Sequence, residues 1–290
     1  MTVRLTKHHG LGNDFLVHLT DDAHAYGDRA AWVERARRWC HRHRGIGADG
    51  LLIGLHGPEA GDVDLAMTLV NADGSIAEMS GNGIRCFAQA EAMRRNQERG
   101  TLRIRTDGGL RTVEFAATAT PLRHQGTIEA SVDMGPAKAG PTADRPVERA
   151  TVLVSGGGPR VLGLNATRSG TYDLGNPHLV LLVDDPAAID LEHAGPLHES
   201  SFDGGMNVHF VAATPGEADA MTARHWERGA GITEACGTGA TAIARAAHDW
   251  GLVGDRVTVH MPGGDVQVAV GDPMVLRGPS VFVAGIVVPA

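Results

Sequence analysis

The chain has 290 residues, 42% of them hydrophobic and 21% charged, with a formal net charge of −8. This is an ordinary globular composition, enough for one large domain or for two of about 130–150 residues. The acidic balance without a Lys/Arg run argues against a nucleic-acid surface. No run of roughly 18 apolar residues is there to span a membrane, and the start MTVRLTKHHGLGNDF lacks the apolar stretch of a signal peptide.

In chain order, Ala30–His43 reads as a helix and Gly83–Arg99 as a second, stopped by Gly100. Leu102 and Ile104, then Val113 and Phe115, alternate on either side of Asp107-Gly108-Gly109, which predicts a hairpin. Thr127–Met134 reads as a strand, and the composition of Pro136–Pro146 predicts a linker. Gly237–Trp250 is the third helix, with Gly251 supplying the left-handed stop. Val257, Val259 and Met261, then Val266, Val268 and Val270, flank Pro262-Gly263-Gly264-Asp265 in a second hairpin, and Ser280–Val288 is a last strand. The fold class expected is α+β: two pseudo-symmetric lobes, each mostly antiparallel strands wrapped around a central helix, with a cleft between them.

The pseudo-symmetry is written in a duplicated turn. Glu78-Met79-Ser80-Gly81-Asn82-Gly83 and Glu234-Ala235-Cys236-Gly237-Thr238-Gly239 share the pattern Glu-x-Ser/Cys-Gly-x-Gly, and each opens a predicted helix. Leu11–Val17 (LGNDFLV) recurs as Leu174–Val180 (LGNPHLV). Asn71 stands nine residues before Ser80, and Glu227 nine before Cys236. Two long copies do not make a solenoid, which needs at least three.

A nucleophilic side chain at a helix N-terminus, followed by glycines, suits an anion held on backbone N–H groups. Two such turns facing one cleft would put proton-handling groups on both sides of one substrate, as a racemase or epimerase requires. Removing an α-proton needs a nearby base and stabilisation of carbanion-like charge. A helix N-terminus lowers a thiol from its usual value of about 8.5. The amides of Gly237, Thr238 and Gly239 are therefore expected to favour thiolate at Cys236 and to bind an α-carboxylate, with Gly81, Asn82 and Gly83 doing the same from the other side. A single Gly-x-Gly would more simply be a tight turn, and a lone cysteine a small buried hydrophobe. Two copies with Ser or Cys in the same place count against that.

Three cysteines, Cys40, Cys86 and Cys236, with no C-x-x-C pair, predict free thiols and a reducing cytoplasm. No metal is expected: His8-His9 and His41-x-His43 lack ligand spacing and read as surface or packing residues.

The segments HGLGNDF (9–15), RGIGADGLL (44–52), NADGSIAEMSGNGIRCFA (71–88), GNPH (175–178), NV (207–208), ERGAGITEACGTGA (227–240) and PGG (262–264) together resemble the diaminopimelate epimerase family, in family order over nearly the whole chain. The resemblance implies an isomerase of lysine and cell-wall precursor synthesis that interconverts LL- and meso-diaminopimelate without pyridoxal phosphate, metal or other cofactor. Two groups act as base and acid, here Ser80 and Cys236, with His178 and Glu227 tuning them. The α-carboxylate is expected on Gly81-Asn82 and Gly237-Thr238. The distal end is expected on Asn13, Asn71, Asn176, Asn207 and Arg228, with Glu227 also at the substrate. It further implies an N-terminal lobe of 1–132 plus about 277–290, a C-terminal lobe of 133–276, and an active site between them. The partners expected are a small amino-acid substrate and at most a second copy of the chain in a homodimer. Asp14, within the first motif, reads as structural.

The family's first catalytic cysteine is Ser80 here. A hydroxyl is a far weaker acid than a thiol, and the help from a helix N-terminus, up to about 2 kcal/mol, is too small to close the gap. Three readings stay open: an engineered replacement that traps an inactive form, a natural serine that still relays a proton as in proline-racemase-like proteins with mixed Ser/Cys pairs, or loss of one base with one-sided chemistry such as elimination. Cys86, six residues on and some 9 Å along the helix axis at about 1.5 Å per residue, is expected inside the packing. Asp203 and Met206 also depart from the family's usual Pro and Thr, and Gly50 from a Gln found in some members. The alternatives are a racemase or dehydratase for another amino acid, and an inactive amino-acid-binding relative.

Overall fold

The computed structural model describes residues 2–118, 126–144, 147, 149–154 and 158–289. They form two compact units, one of residues 1–133 with 277–290 and one of residues 134–276.

The first unit holds helices α1 (Ala23–Gly27), α2 (Arg29–Trp39) and α3 (Gly81–Arg95). Its strands close into a ring. Thr2–Gly10 pairs antiparallel with Asn13–Thr20, which runs parallel to Gly50–His56, with Phe15 opposite Gly50. Gly50–His56 pairs antiparallel with Leu65–Asn71, which runs parallel to Arg99–Thr106. Gly109–Ala117 and Thr127–Gly135 follow antiparallel, and Met274–Pro289 lies between Thr127–Gly135 and Thr2–Gly10. Closure leaves no open edge in this ring.

Helix α3 fills it. Every residue from Gly81 to Ala92 is buried, because the helix is wrapped rather than laid on one face. Its polar members are satisfied in place. Glu91 pairs with Arg94 and Arg95, and Gln89 donates to the Gly126 carbonyl while accepting from Ser280. Gly54 marks the closest approach: a Cβ there would lie 2.5 Å from Phe87 of α3 and 2.6 Å from Leu19. Gly54→Ala is therefore expected to cost about 1–3 kcal/mol by overpacking. Urea denaturation checks this, and an unchanged midpoint would contradict the contact.

The second unit repeats the order around α5 (Gly237–Asp249), with α4 (Leu191–Glu199) in the crossover between its second and third strands that α1 and α2 occupy in the first. Arg168–Asp173 and Pro177–Leu182 form an antiparallel pair, and the latter runs parallel to Asn207–Ala213, with His178 opposite Asn207. Ala220–Glu227 follows antiparallel, then Arg256–Met261 parallel to it, then Gly264–Ala269 antiparallel. A short strand pairs at the end of the fourth strand in both units, Ile76–Ala77 in one and Gly231–Thr233 in the other. Each unit is thus mostly antiparallel with two parallel pairs, the same two in each. Ala240, Ala242, Ala244, Ala246 and Ala247 keep α5 slim enough to be enclosed. None of the helices among the described residues is long and apolar enough to cross a membrane.

Three local expectations change. The helix predicted over Ala30–His43 ends at Trp39, because the chain turns back so that Ile46 and Gly47 donate to the Trp39 carbonyl. The helix predicted to reach Arg99 stops at Arg95, where Asn96 takes the left-handed conformation at φ 55° and caps it, freeing Arg99–Thr106 for the sheet. In the stretch predicted as a linker, Lys138–Ala139 is a strand paired with Arg168–Asp173, so those residues belong to the second unit's sheet; positions 145 and 146 of that stretch lie outside the described residues.

Candidate active site

Each duplicated turn is an N-cap. Ser80 has an extended backbone at φ −138°, its Oγ accepts the Gly83 N–H at 3.0 Å, and its carbonyl accepts Ile84 N–H at 2.9 Å. Cys236, at φ −129°, accepts the Gly239 N–H on Sγ at 3.3 Å and Ala240 N–H on its carbonyl at 2.8 Å. Ser and Cys are doing the same local job. Each satisfies one of the N–H groups that a helix's first turn leaves without an acceptor. The third residue after each is glycine for space: a Cβ on Gly83 would sit 3.1 Å from Ser80 Cβ, and one on Gly239 would sit 3.0 Å from Cys236 Sγ and 2.3 Å from His209.

Around Ser80, the polar side chains form a ladder. Asn82 Nδ2 donates to Asn13 Oδ1 at 3.2 Å, and Asn13 Nδ2 donates to Asp49 at 2.8 Å. Arg85, fully buried one turn along α3, donates to Asn82 Oδ1 at 2.8 Å and to the Gly81 carbonyl at 3.1 Å. Burial pulls its guanidinium down to about 10. Below Asn13, Asp14 pairs with Lys7 and Arg42, each at 2.7 Å, and accepts the Asp49 N–H. Burial opposes ionisation of Asp14, but Arg42 and Lys7 outweigh it and hold the carboxyl below its ordinary value. Asn13, Gly81 and Asn82 are thus brought together with Ser80. Asn71 closes its own turn, donating to Ser75 Oγ at 3.0 Å, with Ser75 held in turn by Asp73. Cys86 is fully buried on α3, and burial pushes its thiol up to about 11.

Around Cys236, the expected residues also meet. The thiol lies 3.6 Å from Thr238 Oγ1, and Asn176 Nδ2 donates to that hydroxyl at 3.3 Å. Asn176 Oδ1 bonds His178 Nε2 at 2.9 Å. Glu227, at the end of its strand, accepts from Thr233 Oγ1 at 2.6 Å and hydrogen-bonds the thiol. Asn207 joins two backbone groups, donating to the Pro177 carbonyl at 2.9 Å and accepting Arg228 N–H at 3.0 Å, while the Arg228 guanidinium reaches the Gly204 carbonyl. Met206, the departure beside Asn207, is fully buried in this unit's core with Leu179, Val208 and Phe210.

The state of Cys236 differs from the sequence expectation. Burial, then the Glu227 carboxylate, push its thiol well above the ordinary range, and Thr238 and the Gly239 N–H do not bring it back. Cys236 rests as a thiol whose proton points to Glu227, not as a thiolate made by the helix alone. His178 is neutral, pushed down to about 3 by burial and then by Arg228 and His225.

A family model for diaminopimelate epimerase matches residues 5–139 and 170–283 of this chain. The diaminopimelate epimerase of Synechococcus elongatus is 38% identical over 276 residues, covering 92% of this chain and 91% of that protein. That of Pseudomonas entomophila is 36% identical over 288 residues, with 98% of both chains covered. This chain belongs to the diaminopimelate epimerase family. The fold agrees: a solved structure of a Predicted Epimerase from Pseudomonas aeruginosa matches with a TM-score of 0.70 at 18% identity over 99% of both chains. A hydroxyproline epimerase from Agrobacterium vitis matches with 0.61 at 15% identity over 99% of this chain and 91% of that one.

Five residues of this site were not singled out by the sequence reading. Asp49 aims Asn13, Arg85 aims Asn82, Thr233 aims Glu227, and His209 and His225 stand behind His178. Asp49, Arg85 and Thr233 fall inside matched segments and carried a weak signal there. His209 and His225 carried none, since only strand register puts them opposite each other.

Proposed function

We propose that this protein epimerises LL-diaminopimelate to meso-diaminopimelate by proton transfer on two faces of the α-carbon, with Cys236 and Ser80 as the two proton-handling groups. The observation that carries the reading is the bond-for-bond repetition of the N-cap in two halves of one chain, in a member of this family. Glu227 takes the Cys236 proton, and the thiolate then removes the α-proton. The C–H electron pair stays on the carbon and spreads into the α-carboxylate. First-turn amides at Gly81-Asn82 and Gly237-Thr238 hold that carboxylate and stabilise the developing charge. Ser80 must return a proton to the opposite face for the centre to invert. Asn13, Asn71, Asn176, Asn207 and Arg228 read the distal amino-acid end, which a substrate lacking that end would leave unpaired. In this reading the chemistry uses only the protein's own side chains and backbone amides. We place the enzyme in the cytoplasm, where its thiols stay reduced, as a monomer or homodimer.

Proton NMR of LL-diaminopimelate in D2O with this protein tests the reading. Loss of the α-proton signal with appearance of the meso form is the expected result. The absence of any α-proton exchange would remove diaminopimelate as the substrate and leave a racemase or dehydratase of another amino acid, or an inactive binder, in its place.

A further inference from the structure

Behind Cys236 runs a line of hydrogen bonds, half-buried at Asn176 and fully buried beyond it, that is longer than the proposed mechanism uses. From the sulfur it passes through Thr238 Oγ1, Asn176 and His178 Nε2, then from His178 Nδ1 to His209 Nε2 at 2.8 Å and from His209 Nδ1 to His225 Nδ1 at 3.2 Å. The three histidines are fully buried on three successive strands. The His209 ring also packs against the first turn of α5, since a Cβ on Gly239 would overlap it at 2.3 Å. The line therefore touches the Cys236 turn twice.

Its protons can be placed by counting. Each neutral imidazole has one N–H and one lone pair. All three are kept neutral, burial being the largest cause in each. Asn176 spends its N–H on Thr238, so its carbonyl oxygen faces His178, which must donate from Nε2. His178 Nδ1 then accepts from His209 Nε2–H, and His209 Nδ1 accepts from His225 Nδ1–H. What is left over is the lone pair of His225 Nε2, a buried atom with no partner among the described residues. The reverse ordering would strand a buried N–H there instead, and an orphan donor is the rarer and costlier defect. Every donor in the line consequently points toward Cys236, and bonds aligned head to tail polarise one another.

We propose that His209 and His225 are positioning residues that hold His178 in its Nε2–H tautomer, so that Asn176 and the Thr238 hydroxyl present their donors to the Cys236 sulfur and stabilise its thiolate. The inference deepens the proposed reaction and rests on Cys236 being its working thiol. The other groups facing the line stay in place throughout: Glu227 and the Gly239 N–H at the sulfur, Arg228 near His178, and Arg224 near His225.

Two measurements test it, and neither uses diaminopimelate, so failure of the substrate assignment leaves both standing. In the unaltered protein labelled with nitrogen-15, long-range proton–nitrogen correlation at neutral pH should show His178 and His209 protonated on Nε2 and His225 on Nδ1. Protonation of His178 on Nδ1, or on both nitrogens, overturns the proposal, and this reading requires no variant to fold. Alkylation of Cys236 by iodoacetamide, followed at its own peptide across pH, is the second measurement. His209→Phe removes the donor to His178 and should move the midpoint up by about one unit, a tenfold loss of thiolate at a fixed pH below it. His209→Gln keeps an N–H for His178 and should retain the parent profile. A folded His209→Phe protein with the parent profile, or a His209→Gln protein shifted as far as His209→Phe, overturns the proposal.

Discussion

Cys236→Ala abolishes both deuterium incorporation into diaminopimelate and inversion of its centre. In the proposed reaction the thiol is the group that carries a proton to and from carbon on this side, and Glu227 beside it takes the thiol's proton rather than replacing it. A positioned acid or base contributes about 10²–10⁴-fold, and in the proposed reaction the same side chain serves as both, so the expected loss falls at or beyond the upper end of that range. The folded state should survive. Alanine removes only one N-cap contact, the 3.3 Å bond from Gly239, worth about 1 kcal/mol. Cys86→Ala is the control: that thiol is sealed in α3, and its removal should leave exchange intact. NMR in D2O reads all three proteins. Exchange persisting in Cys236→Ala would show that another base works on that face.

Ser80→Cys raises the rate of inversion by about 10²-fold or more, the range of a competent acid–base group. The fold already shows that the turn accepts sulfur. Cys236 caps α5 through the same bond that Ser80 makes to α3, lengthened from 3.0 to 3.3 Å. What changes is chemistry. A thiol near its ordinary value of about 8.5 supplies some thiolate at neutral pH. A hydroxyl needs a strong base bonded to it, and Ser80 Oγ takes its hydrogen bond from the Gly83 N–H, while the carboxylate of the neighbouring ladder, Asp49, is held one residue away by Asn13 and Arg42. With serine in place, Cys236 should wash deuterium into one epimer faster than the centre inverts. With cysteine the two rates should converge. Equal inversion by the two proteins would make Ser80 a competent natural partner and overturn the acidity argument.

The repeat, its two caps and the family were legible because they are local. A Ser or Cys before Gly-x-Gly takes its partner from three residues away, so sequence spacing already specifies the bond. The segments flanking each turn recur in the same order, and the strand pairings repeat with them. The stop of α3 was misplaced because Asn96 and Gly100 can both end a helix, and which one does depends on Arg99–Thr106 finding its place in the sheet.

The state of the site depended on contacts that spacing does not encode. The helix N-terminus alone argues for thiolate at Cys236, yet the folded protein keeps the thiol. Enclosure by the sheet removes water, and the strand ending in Glu227 places a carboxylate beside the sulfur; both act over distances in space that leave no mark in the local sequence. The same holds for Asp49 behind Asn13 and for the histidine line. His178, His209 and His225 lie 31 and 16 residues apart, and a change of register by one would turn His209 and His225 to opposite faces. By itself, the sequence determined the repeat, the family and where Ser80 and Cys236 sit at the start of their helices. Only the tertiary structure decided the state of the Cys236 thiol and which donors face it, because burial and register are properties of the packed sheet.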